Sequence, residues 1–159
     1  MLLTIDTPEA MAELGARLAG QVRAGDLVTL NGELGAGKTT LTRGLGEALG
    51  VRGAVTSPTF VLARTHPRVD GPPLVHVDAY RLSSAVELDD LDIDFAASVV
   101  VVEWGEGLLD GITDEWLQLD IVRPVGGVVT DDGVEARTVT VTGHGPRWAD
   151  LGWLAAHGA

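Results

Sequence analysis

The chain has 159 residues, 45% of them hydrophobic, with no cysteine and a formal charge of -12. That length suits one domain spanning residues 1–159 with a substantial core, and the lack of cysteine excludes disulfides, thiolate metal sites and a cysteine nucleophile. The acidic balance argues against broad electrostatic binding to a nucleic-acid backbone, since the basic group Arg64, His66 and Arg68 is thin. The N-terminus lacks a basic stretch followed by an apolar run, and no window approaches the ~20 apolar residues of a membrane span. A cytoplasmic protein with no membrane partner is the expectation.

In chain order, residues 7–22 (TPEAMAELGARLAGQV) predict an amphipathic helix. Thr7 can cap it, Pro8 suits its first position, and Met11, Leu14, Leu18 and Val22 recur at helical spacing. Ala24, Gly25 and Asp26 break the helix, and DLVTLNG follows as a short, mostly apolar strand. The glycine-rich loop comes next, then a helix from Lys38 to Leu49 that stops at Gly50. TFVLAR alternates as a strand, HPRVDGPP breaks it and LVHVDAY returns, which predicts a hairpin. SSAVELDDLDI reads as a helix with Ser83 or Ser84 as its cap. SVVVVEWG is a continuous apolar run, the pattern of a strand buried on both faces. WLQLDIVRP and ARTVTVTGH are alternating strands joined by VGGVVTDDG, and PRWADLGWLAAHG reads as a short amphipathic helix. The sum is an α/β fold: a single P-loop NTPase domain with a mixed, partly parallel central sheet flanked by helices.

Gly32, Gly37, Lys38 and Thr39 fit G-x-x-x-x-G-K-[ST] at every position, between a strand and a helix. Glycines let the backbone aim its N–H groups at phosphate oxygens, and a helix N-terminus adds its positive dipole end. Lys38, the chain's single lysine, would reach the terminal phosphates, and the Thr39 hydroxyl would ligate magnesium. Such a loop also needs an acid at the end of a neighbouring strand. Glu103 closes VVVVE and Asp78 closes LVHVD, and strand-end carboxylates face the ligand crevice of an α/β sheet. One would bind metal while the other positions the attacking water; spacing does not assign which. Thr59, in SPTF, stands where a switch-type threonine senses the terminal phosphate, and reads equally as the first residue of a strand. Trp104 follows Glu103 and is a nucleotide or partner contact or a core aromatic. The four histidines have no metal-ligand spacing and read as ordinary surface or strand residues.

GELGAGKTTLTRGL, SPTFVL, HVDAYRL and VVVEWGE, in this order and spacing, resemble the bacterial TsaE (YjeE) family, over roughly residues 5 to 110. The resemblance implies a magnesium-dependent ATPase of tRNA threonylcarbamoyladenosine formation, slow alone and stimulated by partners. It implies that Gly35, Ala36, Gly37, Lys38, Thr39 and Thr40 wrap the phosphates of ATP. Thr39 and Glu103 would attend Mg2+, Asp78 would be needed for hydrolysis, and Trp104 would lie close to the nucleotide. Tyr80 and Arg81 match the motif as scaffold or partner contacts. The implied partners are TsaB-like and TsaD-like proteins, with tRNA reached through that complex, where TsaD transfers the threonylcarbamoyl group to adenosine 37. Gly105 departs from the family's usual E-W-P-E, freeing the backbone before Glu106. Two other readings compete: a nucleotide-dependent interaction module without essential hydrolysis, and a small-molecule kinase. A kinase calls for an arginine-rich lid, for which Arg64 and Arg68 are sparse material. A guanine-specific N-K-x-D motif is excluded because no second lysine exists.

Overall fold

A computed structural model describes residues 1–33, 37–51, 63–68, 70–79, 93–103, 114–122 and 137–155. Helix α1 (Pro8–Ala19) starts where its cap is strongest: the Thr7 hydroxyl accepts from the Ala10 N–H at 3.0 Å, and Pro8 occupies the first turn. It buries Met11, Leu14, Gly15 and Leu18, and it ends three residues short of the expected Val22 because Gly20 closes it. Helix α2 (Lys38–Leu49) has the predicted bounds, with left-handed glycines at both ends, Gly37 at φ 118° and Gly50 at φ 77°.

Among the described residues seven strands form one sheet: β1 (Leu2–Ile5), β2 (Leu27–Asn31), β3 (Ala63–His66), β4 (Leu74–Asp78), β5 (Val99–Glu103), β6 (Trp116–Val122) and β7 (Arg137–His144). Their order is β1-β7-β6-β2-β5-β4-β3. The central pairs β6-β2, β2-β5 and β5-β4 are parallel, and both flanks are antiparallel. The mixed, partly parallel sheet is therefore as expected, as are the β3-β4 hairpin and the antiparallel β6-β7 pair. β5 lies between two parallel neighbours with all five residues buried, which is why its sequence shows no alternation.

Strand β1 was not anticipated. LLTI is short and shows no strong alternation, and it extends because β7, far along the chain, offers it an edge. The expected C-terminal amphipathic helix is also corrected. A 3-10 turn at Pro146–Trp148 is followed by a separate four-residue helix α3 (Gly152–Ala155). The Asp150 carboxylate accepts from the Gly152 N–H at 2.8 Å, restarting the chain rather than continuing it. Residues 83–92 of the expected helix SSAVELDDLDI and the 59–62 start of the strand ending in Ala63 and Arg64 lie outside the described residues.

The sheet has an apolar cluster on each face. One joins Met11, Leu14 and Leu18 of α1 and Leu41 and Leu45 of α2 to Val28, Leu30, Val99 and Val101 of the sheet. The other joins Leu27, Val75, Val77, Val100 and Val102, with Ile93 and Phe95 packed on them. The two helices cross at very close range, as a Cβ on Gly15 would collide with the Leu41 carbonyl and one on Gly44 with the Ala12 carbonyl. That close crossing fixes how α2 lies against α1. Among the described residues no helix is long and apolar enough to cross a membrane.

Candidate functional site

The parallel strands β2, β5 and β4 all run to the same edge of the sheet. Asp78 pairs in register with Glu103, and Glu103 with Leu30, so these three side chains stand on one face at the C-terminal ends of adjacent strands. It is the face against which α1 and α2 pack, since Leu30 belongs to their cluster. Brought by strand order, two carboxylates thus meet the helix that follows the glycine loop.

Lys38 opens α2 and is 6% exposed. Its Nζ donates to the Gly32 carbonyl at 2.5 Å, so the lysine of the motif folds back onto its first glycine. Burial holds the Lys38 pKa below its usual 10.5, while the Glu103 and Asp78 charges pull it upward. The Thr42 hydroxyl donates to the Lys38 carbonyl at 2.8 Å, tightening the first turn. Gly37 holds a left-handed backbone, and a Cβ there would come within 3.2 Å of Met11 Cε.

The first turn of α2 holds Thr39 and Thr40, both half-buried. It carries no acidic side chain and no side-chain cap, unlike α1 with Thr7 and Glu9. With glycine at its cap and no acid in its first turn, α2 offers its positive dipole end to an anion from outside the helix. No group of three His, Asp or Glu side chains suited to a metal occurs among the described residues. Magnesium at a phosphate needs few protein oxygens, because phosphates and water complete its shell. A threonine hydroxyl at the helix start and a strand-end carboxylate, as in Thr39 and Glu103, are a donor set of that kind.

Of the expected site residues, Gly32, Gly37, Lys38, Thr39, Thr40, Asp78 and Glu103 lie at this one edge. Gly35, Ala36, Thr59 and Trp104 fall outside the described residues, as do Tyr80, Arg81, Gly105 and Glu106. A further strand-end acid, Asp120, is set apart. It pairs with Asn31 on the opposite face and accepts from Asn31 Nδ2 at 3.0 Å and from Gln118 Nε2 at 2.9 Å.

The described histidines lie on strands, as expected, but His76 is not an ordinary one: it is fully buried, and its Nε2 lies 3.2 Å from Glu103 Oε2. The available signal was its position two residues before Asp78 on a strand, which puts both on one face. His66, on neighbouring β3, is also buried, and burial, then His76, then Arg64 push its pKa below 6.5. Arg68 is engaged elsewhere, donating from Nε to the Leu49 carbonyl at 2.9 Å and from Nη1 to the Pro72 carbonyl at 3.4 Å.

Fold and site together define an α/β protein that presents a strand, a glycine loop and a helix to a pair of strand-end acids. The family model described as "Threonylcarbamoyl adenosine biosynthesis protein TsaE" matches residues 5–125. A tRNA threonylcarbamoyladenosine biosynthesis protein TsaE from Streptomyces coelicolor is 66% identical over 143 residues, covering 87% of this chain and 94% of its own. The protein of the same name from Bacillus subtilis is 36% identical over 148 residues, covering 91% of this chain and 86% of its own. The crystal structure of Bacillus subtilis YdiB superposes with a TM-score of 0.72 at 32% identity, covering 93% of this chain and 88% of that one. The chain belongs to the TsaE family, whose role is in tRNA threonylcarbamoyladenosine biosynthesis.

Proposed function

We propose that the chain is a magnesium-dependent ATPase that supports turnover of a TsaB–TsaD-type complex acting on adenosine 37 of tRNA in the cytoplasm. The observation that carries the reading is the register that sets Asp78 beside Glu103 at the strand ends, on the sheet face against which α2 packs, and α2 opens with the buried Lys38. Magnesium, when bound, supplies charge neutralisation at the phosphate oxygens. Backbone N–H groups at the start of α2 and the Lys38 ammonium bind and orient the phosphates. The Thr39 hydroxyl and Glu103 carboxylate hold the metal. Asp78, exposed more than Glu103 and in register beside it, orients the attacking water through a hydrogen bond. Family membership supports the pathway.

The kinase reading loses ground on one observation. Arg68, one of two arginines available for a phosphate lid, is committed to backbone carbonyls at the end of α2 and beside Pro72. The test of the main reading is ATP hydrolysis with and without recombinant TsaB and TsaD from the same source. Stimulation by the partners that disappears in Glu103→Ala, with association retained in a pull-down with ATP, is the expected result. Unchanged tRNA modification by Glu103→Ala would show that bound nucleotide, not its hydrolysis, sets the function. Failure to associate with ATP, ADP or no nucleotide would remove the pathway partners and leave the phosphate site standing.

A further inference from the structure

β4 reads Leu-Val-His-Val-Asp, and its first four residues are buried. The histidine at its centre, His76, has 0% exposure. Valine or leucine would suit the packing better, because leaving a buried imidazole short of hydrogen bonds costs about 1–3 kcal/mol. Among the described residues neither ring nitrogen has an aligned hydrogen bond. What the ring does have is Glu103: Nε2 stands 3.2 Å from Oε2, within ion-pair reach and off the line of a hydrogen bond. Register explains the meeting. His76 pairs with Val101, two residues before Glu103, so the two side chains rise on one face and meet diagonally between β4 and β5. Glu103 is itself 5% exposed, so little solvent is at hand to solvate or orient its carboxylate.

We propose that His76 is a positioning residue that holds the Glu103 carboxylate in its magnesium-binding orientation. A small turn of the ring would close the 3.2 Å contact into a hydrogen bond, and an N–H given to Oε2 would then remove the rotational freedom of the carboxylate and leave Oε1 for the metal. Imidazole can supply that N–H whether neutral or protonated. The role resembles the partners that orient ligands around other metal sites, where loss typically weakens metal affinity 10–100-fold. It rests on the reading of Glu103 as a magnesium ligand. It also accounts for a polar ring in an apolar strand, which packing alone does not.

Three variants and two measurements test it. His76→Leu keeps bulk and removes the donor; His76→Gln keeps an N–H at comparable reach; His76→Asn is too short. The first measurement titrates magnesium against binding of a fluorescent ADP analogue. His76→Leu should need ~10-fold or more magnesium for half-saturation, with affinity in EDTA unchanged, and His76→Gln should recover most of the loss. The second, on nucleotide-free protein, is the side-chain nitrogen NMR spectrum of His76, which should show a proton on Nε2 that shifts in Glu103→Gln. Wild-type magnesium dependence in a folded His76→Leu overturns the proposal, and so does the same result in His76→Asn if the leucine variant does not fold. A ring proton found on Nδ1 alone overturns it too. If the unaltered protein binds nucleotide without regard to magnesium, the reading of Glu103 falls and the positioning role falls with it, while the NMR signal still reports the contact.

Discussion

Lys38 is the residue where stability and function oppose one another most plainly. It is buried at the start of α2, so burial disfavours its charged form, and Glu103 and Asp78 only partly offset this. The sign follows from linkage. A lysine whose folded pKa is lowered destabilises the fold fully below that pKa, and the penalty fades as pH rises toward the unfolded value of 10.5. Urea unfolding of wild type and Lys38→Met should therefore show wild type gaining stability relative to the variant as pH is raised through the alkaline range toward 10.5. A difference that stays flat with pH would mean that the lysine has its ordinary affinity for protons. At neutral pH Lys38→Met should bind no ATP measurably, because the methyl group replaces the cation that would face the phosphates. A stabilising variant at this position is thus expected to be inactive.

Helix α2 is the element that carries the phosphate-binding geometry, and its position depends on two glycines rather than on its own ends. Gly15 and Gly44 let α1 and α2 approach until backbone meets backbone. Gly15→Ala or Gly44→Ala should lower stability by about 1–3 kcal/mol in urea unfolding, since a Cβ at either position collides with a carbonyl that cannot move alone. Gly20→Ala is the control. Gly20 sits at φ -74° with its nearest would-be contact at 3.4 Å, so this change should fall within about 0.5 kcal/mol of wild type. The bounds of α2 were legible in the sequence because they are local, set by Gly37 and Gly50 in left-handed conformations. The crossing was not legible. Gly15 reads as a weak spot in an amphipathic helix until Leu41 is known to lie against it.

At the scale of the whole molecule, the C-terminal segment is tied back to the start of the phosphate-binding strand. Arg147 donates from Nε to Asp26 Oδ1 at 3.2 Å, from Nη2 to Asp26 Oδ2 at 2.9 Å and from Nη2 to the Gln21 carbonyl at 2.5 Å. Its guanidinium also lies 4.2 Å from the centroid of the buried Trp148 ring. Asp26 is 7% exposed, so losing the arginine strands a largely buried charge. Arg147→Ala should cost ~2 kcal/mol, read as a lower urea midpoint at unchanged slope. A loss near zero would mean that the Arg23 N–H, which donates to Asp26 Oδ2 at 2.8 Å, suffices to hold the carboxylate.

The sequence alone determined the features that a few neighbouring residues control. Spacing and local conformation predicted the helix after the glycine-rich motif, the buried run of β5 and the hairpin of β3 with β4. It also marked Asp78 and Glu103 as acids at strand ends. Strand order lay beyond its reach, because pairing is a choice among distant edges: β1 joins β7, and β5 inserts between β2 and β4. That insertion puts Asp78 in register with Glu103, brings His76 within 3.2 Å of the same carboxylate and sets both acids on the face against which α2 packs. Local backbone preference builds the helices and the strands, while the burial of both sheet faces decides which strand-end acids stand together.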